Sequence, residues 1–228
     1  MIRLRNISKA FRLQGVRKVI LDNVSMDFPV GSNVGILGHN GAGKSTFMKM
    51  LAGAILPDAG YIQRESTVSW PLGFGGGFSG TMTGVENIRF VSRIYGQDTE
   101  YMIKFVSEFS ELGESLHLPI NTYSSGMKAR LSFGVSMAID FDYYLIDEVT
   151  AVGDKRFKRK CDEVFKNKLA HSNIIMVSHS ERTIKKYCDQ ACVLHDGDIF
   201  LFESVKQALE LHNELQSVNP FAKKSTRQ

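Results

Sequence analysis

One nine-residue stretch constrains this chain more than any other: GHNGAGKST at residues 38–46. It matches the pattern G-x-x-x-x-G-K-[ST] and lies between a short apolar segment, NVGILG at 33–38, and a helical segment, KSTFMKMLAG at 44–53. Glycines let the backbone wrap closely around phosphate oxygens, while successive N–H groups and the N-terminus of the following helix point at the anion. A coincidental glycine turn would not need this strand–loop–helix context. The chain is therefore predicted to be an α/β protein with a phosphate-binding loop.

Each residue of this loop is a candidate for nucleotide binding. Lys44 would place a positive charge at the β- and γ-phosphates, and Ser45 would offer its hydroxyl to Mg²⁺. The predicted ligands are thus a nucleotide with β- and γ-phosphates and Mg²⁺, and Lys44 is also a candidate catalytic residue. The complete predicted loop set is Gly38, His39, Asn40, Gly41, Ala42, Gly43, Lys44, Ser45 and Thr46.

A second apolar strand, YYLIDE at 143–148, ends in two adjacent carboxylates. Ligands of parallel α/β sheets bind beyond the carboxyl ends of the strands, so Asp147 is expected to hold the metal, and Glu148 to polarise the attacking water. A third strand, NIIMVSH at 173–179, would bring His179 to the same edge, where it could contact the γ-phosphate. The alternatives are a pair of exposed acids at a strand end and a structural histidine.

Around these strands the chain shows an alternating N-terminal region and a helical insertion. Ile2, Leu4, Val24, Met26 and Phe28 alternate with polar residues, as in the half-buried strands of an antiparallel subdomain. The spacing of Thr83 and Glu86 predicts a capping box at the start of a helical lobe, about 84–138. CVLHDGDIFLF at 192–202 predicts a hairpin with Asp196–Gly197 at its tip, and a last helix is expected from Ser204 to about Leu215. One domain is predicted over 1–216, with a short basic tail at 217–228.

Bulk composition excludes several classes of function. The net charge of +4 is mild, so no nucleic-acid partner is expected. No apolar run is long enough for a signal peptide or a transmembrane helix. The three cysteines are odd in number and lack a zinc-site spacing, which favours reduced thiols in a cytoplasmic protein.

A neutral stretch at 66–85, STVSWPLGFGGGFSGTMTGV, contains six glycines and the aromatic residues Trp70, Phe74 and Phe78. A flexible linker would lack these aromatics, and a membrane span would contain less glycine. If such a loop met another protein, it would bury no unpaired ions and would supply aromatic contact area. The alternative is a loop that packs against its own helical lobe.

In these motifs, their order and their spacing, nearly the whole chain resembles the nucleotide-binding subunit of an ATP-binding cassette (ABC) transporter. The resemblance depends on GHNGAGKST, YYLIDE, His179, Asp154 and YSSGMKAR, which begins at Tyr123. YSSGM stands at the family's signature motif, so Ser124, Ser125 and Gly126 are implied to contact the ATP of a second subunit. The resemblance implies the ABC-type P-loop fold and a head-to-tail homodimer with two ATPs between its subunits. Without it, the YSSG segment would read simply as a helix cap.

Other positions follow the family less closely. Phe11 lies where the family places an aromatic residue that stacks on adenine, although it could equally be a core residue of its strand. Asp154 fits the loop that crosses the dimer interface, or a surface acid. Ser125 and Met127 depart from the usual signature, and the family's glutamine near 68–75 is absent. The contact usually made by that glutamine therefore cannot be transferred to this chain.

The segment SWPLGFGGGFSGTMTGVENIRF also resembles the corresponding segment of the ATPases of capsular polysaccharide exporters, the KpsT-type branch. This resemblance implies an ATP hydrolase that drives export of a lipid-linked polysaccharide from the cytoplasmic face of the bacterial inner membrane, as a peripheral subunit. The implied partners are a second copy of the chain, two integral-membrane permease subunits and, through them, further capsule-export envelope proteins. The alternatives are export of O-antigen or teichoic acid, a soluble P-loop ATPase not tied to transport, and a phosphoryl-transferring kinase.

Overall fold

The computed structural model describes residues 1–13, 15–72, 77–147 and 155–218, which fall into two units. The first unit contains the described residues of Met1–Val68, Tyr143–Glu148 and Asn173–Gln228, and the second those of Ser69–Asp142 and Val149–Ser172. The strands are β1 Ile2–Leu13, β2 Val16–Phe28, β3 Val34–Leu37, β4 Ala59–Arg64, β5 Tyr143–Asp147, β6 Asn173–Val177, β7 Gln190–His195 and β8 Asp198–Phe202. The helices are α1 Lys44–Leu51, α2 Gly84–Ile94, α3 Thr99–Ser110, α4 Ser125–Ala138, α5 Lys155–Leu169, α6 Glu181–Tyr187 and α7 Val205–Val218.

The first unit contains two sheets. One is antiparallel with the order β2-β1-β4, as the alternation of the N-terminal region predicts. The other has the order β5-β6-β3-β7-β8, in which β8 alone runs antiparallel to its neighbour. The core of this unit joins both sheets and α1, since Leu4 and Phe28 of the first sheet pack in one cluster with Ile36 and Phe47. The α1 helix is therefore anchored from two sides.

The parallel strands of the second sheet determine where the candidate site lies. Strand β6 separates β3 from β5, with Ile36 opposite Val177 and Asp147 also opposite Val177. On the other side of β3, Leu37 lies opposite Val193 of β7. The carboxyl ends of all four parallel strands consequently meet at one edge of the sheet.

The second unit is helical and begins as predicted. The hydroxyl of Thr83 accepts a hydrogen bond from the N–H of Glu86 (3.1 Å), and the Glu86 carboxylate accepts one from the N–H of Thr83 (2.8 Å). This reciprocal pair is the expected capping box, and it holds the carboxylate in its charged form, which lowers the pKa of Glu86. The box therefore stabilises the first turn of α2.

A cluster of aromatic side chains forms the core of the second unit around Phe109. Its ring stacks on Phe105 and Phe133 at 5.9 and 5.7 Å between centroids, and meets the edge of Phe157 at 5.3 Å. Phe157 belongs to α5, for which the sequence patterns predict no particular partner. The α5 helix thus packs with α3 and α4, in the same unit as the helical insertion.

We expect Phe109→Ala to lower the free energy of unfolding of this unit by about 3–5 kcal/mol, because it leaves a cavity among three aromatic rings. Trp70, the one tryptophan of the chain, lies in the same unit, so its fluorescence during urea denaturation measures the effect. Phe90→Ala is the control, since Phe90 is 50% exposed and its loss should cost about 1 kcal/mol or less. Equal losses for the two variants would contradict the assignment of this core.

Candidate nucleotide-binding site

The phosphate-binding loop connects the end of β3 to the start of α1, and two of its glycines are required by their surroundings. Gly38 has φ +154°, and a Cβ there would lie 2.6 Å from the carbonyl oxygen of Leu194. Gly43 has φ +104°, and a Cβ there would lie 2.4 Å from Cγ2 of Ile20. No other residue fits either position without displacing backbone or core atoms. The loop is therefore held tightly against β7 and β2.

Lys44 is the first residue of α1, and its side chain folds back over the loop. Its ammonium group donates hydrogen bonds to the carbonyl oxygens of Gly38 (2.7 Å) and His39 (3.0 Å), and the side chain is only 8% exposed. The N–H of Ala42 also donates to the His39 carbonyl (3.1 Å). These contacts keep a positive charge beside the N–H groups at the start of α1, which is the arrangement that attracts phosphate.

Three further predicted residues lie near the carboxyl edge of the same sheet. Asp147 is the last residue of β5 and is half-buried, while His179 follows the end of β6 by two residues and is exposed. Ser45 is exposed in the first turn of α1. A hydroxyl and a carboxylate are hard oxygen donors that Mg²⁺ prefers, so the donor set fits this ion. Glu148 and Asp154 lie outside the described residues.

A pocket of about 380 Å³ opens beside the loop and includes residues that the sequence patterns did not predict. Its lining includes Gly38, His39, Lys44, His179, His195 and His212. His212 belongs to α7, whose amphipathic pattern predicts a helix but not the surface that it covers. Burial lowers the pKa of His212, the charge of Lys44 lowers it further, and the Glu181 carboxylate opposes both. The imidazole therefore stays neutral beside the loop near pH 7.

Phe11 and Lys18 belong to the first sheet. Phe11 is 36% exposed on β1, so its interpretation as a core residue is wrong, while its contact with adenine stays a prediction. The ammonium group of Lys9 lies 5.4 Å from the centroid of the Phe11 ring. The amine of Lys18 lies 3.5 Å from the position that a Cβ on Gly41 would take, which places a second cation at the loop. No sequence motif predicts this position of Lys18, because only the fold of β2 brings it to the loop.

The segment with the signature resemblance lies in the second unit, at the N-terminus of α4. Ser124 is the N-cap, and its hydroxyl accepts a hydrogen bond from the N–H of Met127 (3.2 Å). Ser125 and Gly126 follow in the first turn and are exposed. A Cβ on Gly126 would approach nothing closer than the Ser124 hydroxyl at 3.9 Å, so nothing within the described part of the chain requires glycine there. The small size of Gly126 leaves room beside the start of α4 for a group from another molecule.

The described residues of the neutral stretch on either side of 73–76, namely 69–72 and 77–85, lie in the second unit. Trp70 lies 5.6 Å from the Tyr95 ring and 5.7 Å from the Phe141 ring, and Leu72 is buried. The side chain of Asn87 is bonded to the backbone of Ser79, whose N–H donates to it (2.8 Å) and whose carbonyl accepts from it (3.1 Å). The stretch therefore contacts its own lobe through Trp70 and through Ser79, as one alternative expects. Residues 73–76, with Phe74, lie outside the described part of the chain.

Within the described ranges, no helix combines the length and the apolar character needed to span a bilayer. The buried thiols of Cys188 and Cys192 are protonated, since burial raises the pKa of each to about 12. Reduced cysteines, as the sequence predicts, are what the structure describes for Cys161, Cys188 and Cys192.

Comparison with known proteins identifies this set of features. The model of the ABC transporter family matches residues 21–151. The polysialic acid transport ATP-binding protein KpsT of Escherichia coli is 48% identical over 212 residues, which cover 92% of this chain and 97% of the relative. The capsule polysaccharide export ATP-binding protein CtrD of Neisseria meningitidis serogroup B is 46% identical over 215 residues, which cover 94% of this chain and 100% of the relative.

Solved structures agree on the fold. The ATP-binding cassette MJ0796, in a dimeric post-hydrolysis state bound to ADP and Pi, superposes with a TM-score of 0.70. The match covers 87% of this chain and 96% of the cassette at 18% sequence identity. The predicted α/β cassette, with an antiparallel subdomain and a helical lobe, is confirmed.

Proposed function

Because this chain belongs to the ABC transporter family of ATP-binding proteins, we propose that it is the ATP-hydrolysing subunit of a capsular polysaccharide exporter. The observation that supports this choice of cargo is the extent of the similarity to KpsT and CtrD, which spans over nine-tenths of each chain. Phosphate-loop motifs alone are common to motors with many cargoes, whereas similarity along the whole chain includes the surfaces that meet other subunits.

In this proposal the first unit binds Mg·ATP. The loop N–H groups and Lys44 hold the β- and γ-phosphates, and Ser45 and Asp147 would hold Mg²⁺, which neutralises phosphate charge when bound. Glu148 orients the attacking water as general base, and His179 contacts the γ-phosphate. Phe11 stacks on the adenine. The buried position of Lys44 and the common sheet edge of Asp147 and His179 support this assignment.

Hydrolysis is proposed to need a second copy of the chain. Ser125 and Gly126 lie exposed at a helix N-terminus, which attracts phosphate, and nothing within the described part of the chain fills the space beside Gly126. In a head-to-tail dimer these residues would close the nucleotide pocket of the partner. Asp154 would lie in the loop that crosses the interface.

The proposed location is the cytoplasmic face of the inner membrane, with two permease subunits as integral-membrane partners and further envelope proteins beyond them. The permease would dock on the neutral stretch, where an uncharged loop buries no unpaired ion. The absence of charge at residues 73–76 supports this, whereas the packing of Trp70 in the second unit is what the alternative of a loop packed against its own lobe expects.

The experiment is complementation of a deletion strain, made by removing the gene for this chain from a capsulated bacterium. The wild-type chain should restore surface polysaccharide, whereas Phe74→Asp should leave polymer inside the cell, because a buried carboxylate would weaken docking. Surface and intracellular polymer are measured by immunoblot, and nucleotide binding of the purified variant should be unchanged. Phe200→Asp is the matched control, since Phe200 is an exposed phenylalanine of the first unit and its variant should export normally.

Two results would contradict the proposal. If the deleted strain keeps its capsule and loses another surface glycan, the cargo is wrong while the motor assignment stands. If Phe74→Asp exports as well as Phe200→Asp, the docking surface is elsewhere.

A further inference from the structure

Four of the six histidines of the chain line the pocket beside the phosphate loop, and two of them form a cluster with a carboxylate. His39, His195 and Asp196 each offer one side-chain donor atom, and these three atoms all lie within 4.8 Å of one another. His39 belongs to the loop, and the other two end β7 and begin the turn to β8. All three belong to the first unit.

Strand register explains why these distant residues meet. Parallel pairing sets Leu37 of β3 opposite Val193 of β7, so the two residues that follow each of them continue side by side. Gly38 permits the close approach, because it has no Cβ to meet the Leu194 carbonyl. The rings of His39 and His195 consequently lie 6.2 Å apart and almost perpendicular, at 83°.

The orientation of the donors suits a metal ion. Nδ1 of His39 donates a hydrogen bond to the Asn40 carbonyl (2.9 Å), which leaves the lone pair of its Nε2 free for coordination. Metal-binding histidines commonly fix the second ring nitrogen in this way. Nε2 of His195 lies 3.4 Å from Oδ2 of Asp196, and two ligands of a tetrahedral ion with bonds near 2.05 Å are about 3.4 Å apart.

From this geometry we propose that His39, His195 and Asp196 form a binding site for Zn²⁺, with water in the fourth position. Two imidazoles and one carboxylate select a borderline cation over Mg²⁺, which prefers oxygen ligands. The site is therefore distinct from the magnesium position at Ser45 and Asp147. It joins the phosphate loop to the β7–β8 hairpin.

Other groups near the pocket are poorer ligands. Nε2 of His212 already accepts a hydrogen bond from Gln216 (3.0 Å). The thiols of Cys188 and Cys192 are buried and protonated, and only thiolates bind zinc. The competing arrangement is a plain ion pair between protonated His195 and Asp196, which needs no metal.

The test is a Zn²⁺ titration of the purified full-length chain with reduced thiols, free of nucleotide and Mg²⁺, against a chromogenic chelator. We expect one Zn²⁺ per chain that excess Mg²⁺ does not displace, and Co²⁺ should give the visible absorption of a tetrahedral site. His195→Ala should weaken zinc binding about tenfold or more, since even outer partners of metal ligands are worth 10–100-fold. The readout is binding without nucleotide, so its failure leaves the proposed ATPase function untouched.

Two further variants keep the test decisive. Asp196 has φ +47°, a conformation that asparagine tolerates, so Asp196→Asn removes the carboxylate charge without straining the turn and should also weaken binding. His171→Ala is the matched control, because His171 is an exposed histidine of the second unit and its variant should bind zinc normally. Absence of stoichiometric binding, or equal affinity in His195→Ala and His171→Ala, would overturn the site and leave the plain ion pair.

Discussion

Glu148→Gln is expected to bind ATP as well as the wild-type chain and to hydrolyse it about 10²–10⁴-fold more slowly, because it removes a general base without changing the shape of the side chain. In the sequence Glu148 directly follows Asp147, and Asp147 ends β5 at the carboxyl edge of the sheet that also carries the phosphate loop. Since product formation would release the dimer, the variant should also accumulate as a dimer when ATP is present.

Binding of a fluorescent ATP analogue, phosphate release and size-exclusion chromatography with and without ATP measure the three parts of this result. Glu203→Gln is the control, because Glu203 is an exposed glutamate of the first unit outside the nucleotide site, and its variant should turn over ATP normally. Normal hydrolysis by Glu148→Gln would remove this residue from its proposed role.

Gly126→Asp is expected to abolish ATP-driven dimer formation and hydrolysis while leaving the folded monomer as stable as the wild type. Within the described part of the chain, a Cβ at this position would meet nothing closer than the Ser124 hydroxyl at 3.9 Å, and an acidic residue near a helix N-terminus is locally favourable. In the proposed dimer, however, the same carboxylate would face the γ-phosphate held by the partner. The two negative charges would repel each other strongly in a site without water.

The measurement uses the Glu148→Gln background, in which ATP is not consumed, and scores the dimer by size-exclusion chromatography. Gly126→Ala should weaken the dimer less than Gly126→Asp, because it adds bulk without charge. Lys104→Ala is the matched control: Lys104 is exposed on α3, and its loss changes the net charge by the same amount. A normal dimer in Gly126→Asp would show that α4 does not face the partner nucleotide. A monomer less stable than the wild type would instead assign Gly126 a structural role.

Much of the fold follows from local patterns. The capping box of Thr83 and Glu86, the turn at Asp196–Gly197 and the helix after the phosphate loop are all where the sequence predicts them. Each depends on residues within one or two turns of each other, so the local sequence is sufficient. Strand β4 has no such signal, because its residues are exposed or half-buried and lack a clear apolar alternation. The isolated bridge between Val68 and Tyr143 has no such signal either.

The features of the candidate site likewise fall into those that the local sequence predicts and those that only the tertiary structure brings together. The sequence by itself determined the phosphate loop, the acid at the end of β5 and the cap before Gly126, because glycine conformations, strand ends and helix ends are set by neighbouring residues. Only the tertiary structure decided that α5 packs against Phe109, that α7 brings His212 to the pocket, and that His39 meets His195 and Asp196. These contacts depend on strand order and on the register of β3 with β7, which join parts of the chain that are far apart in sequence.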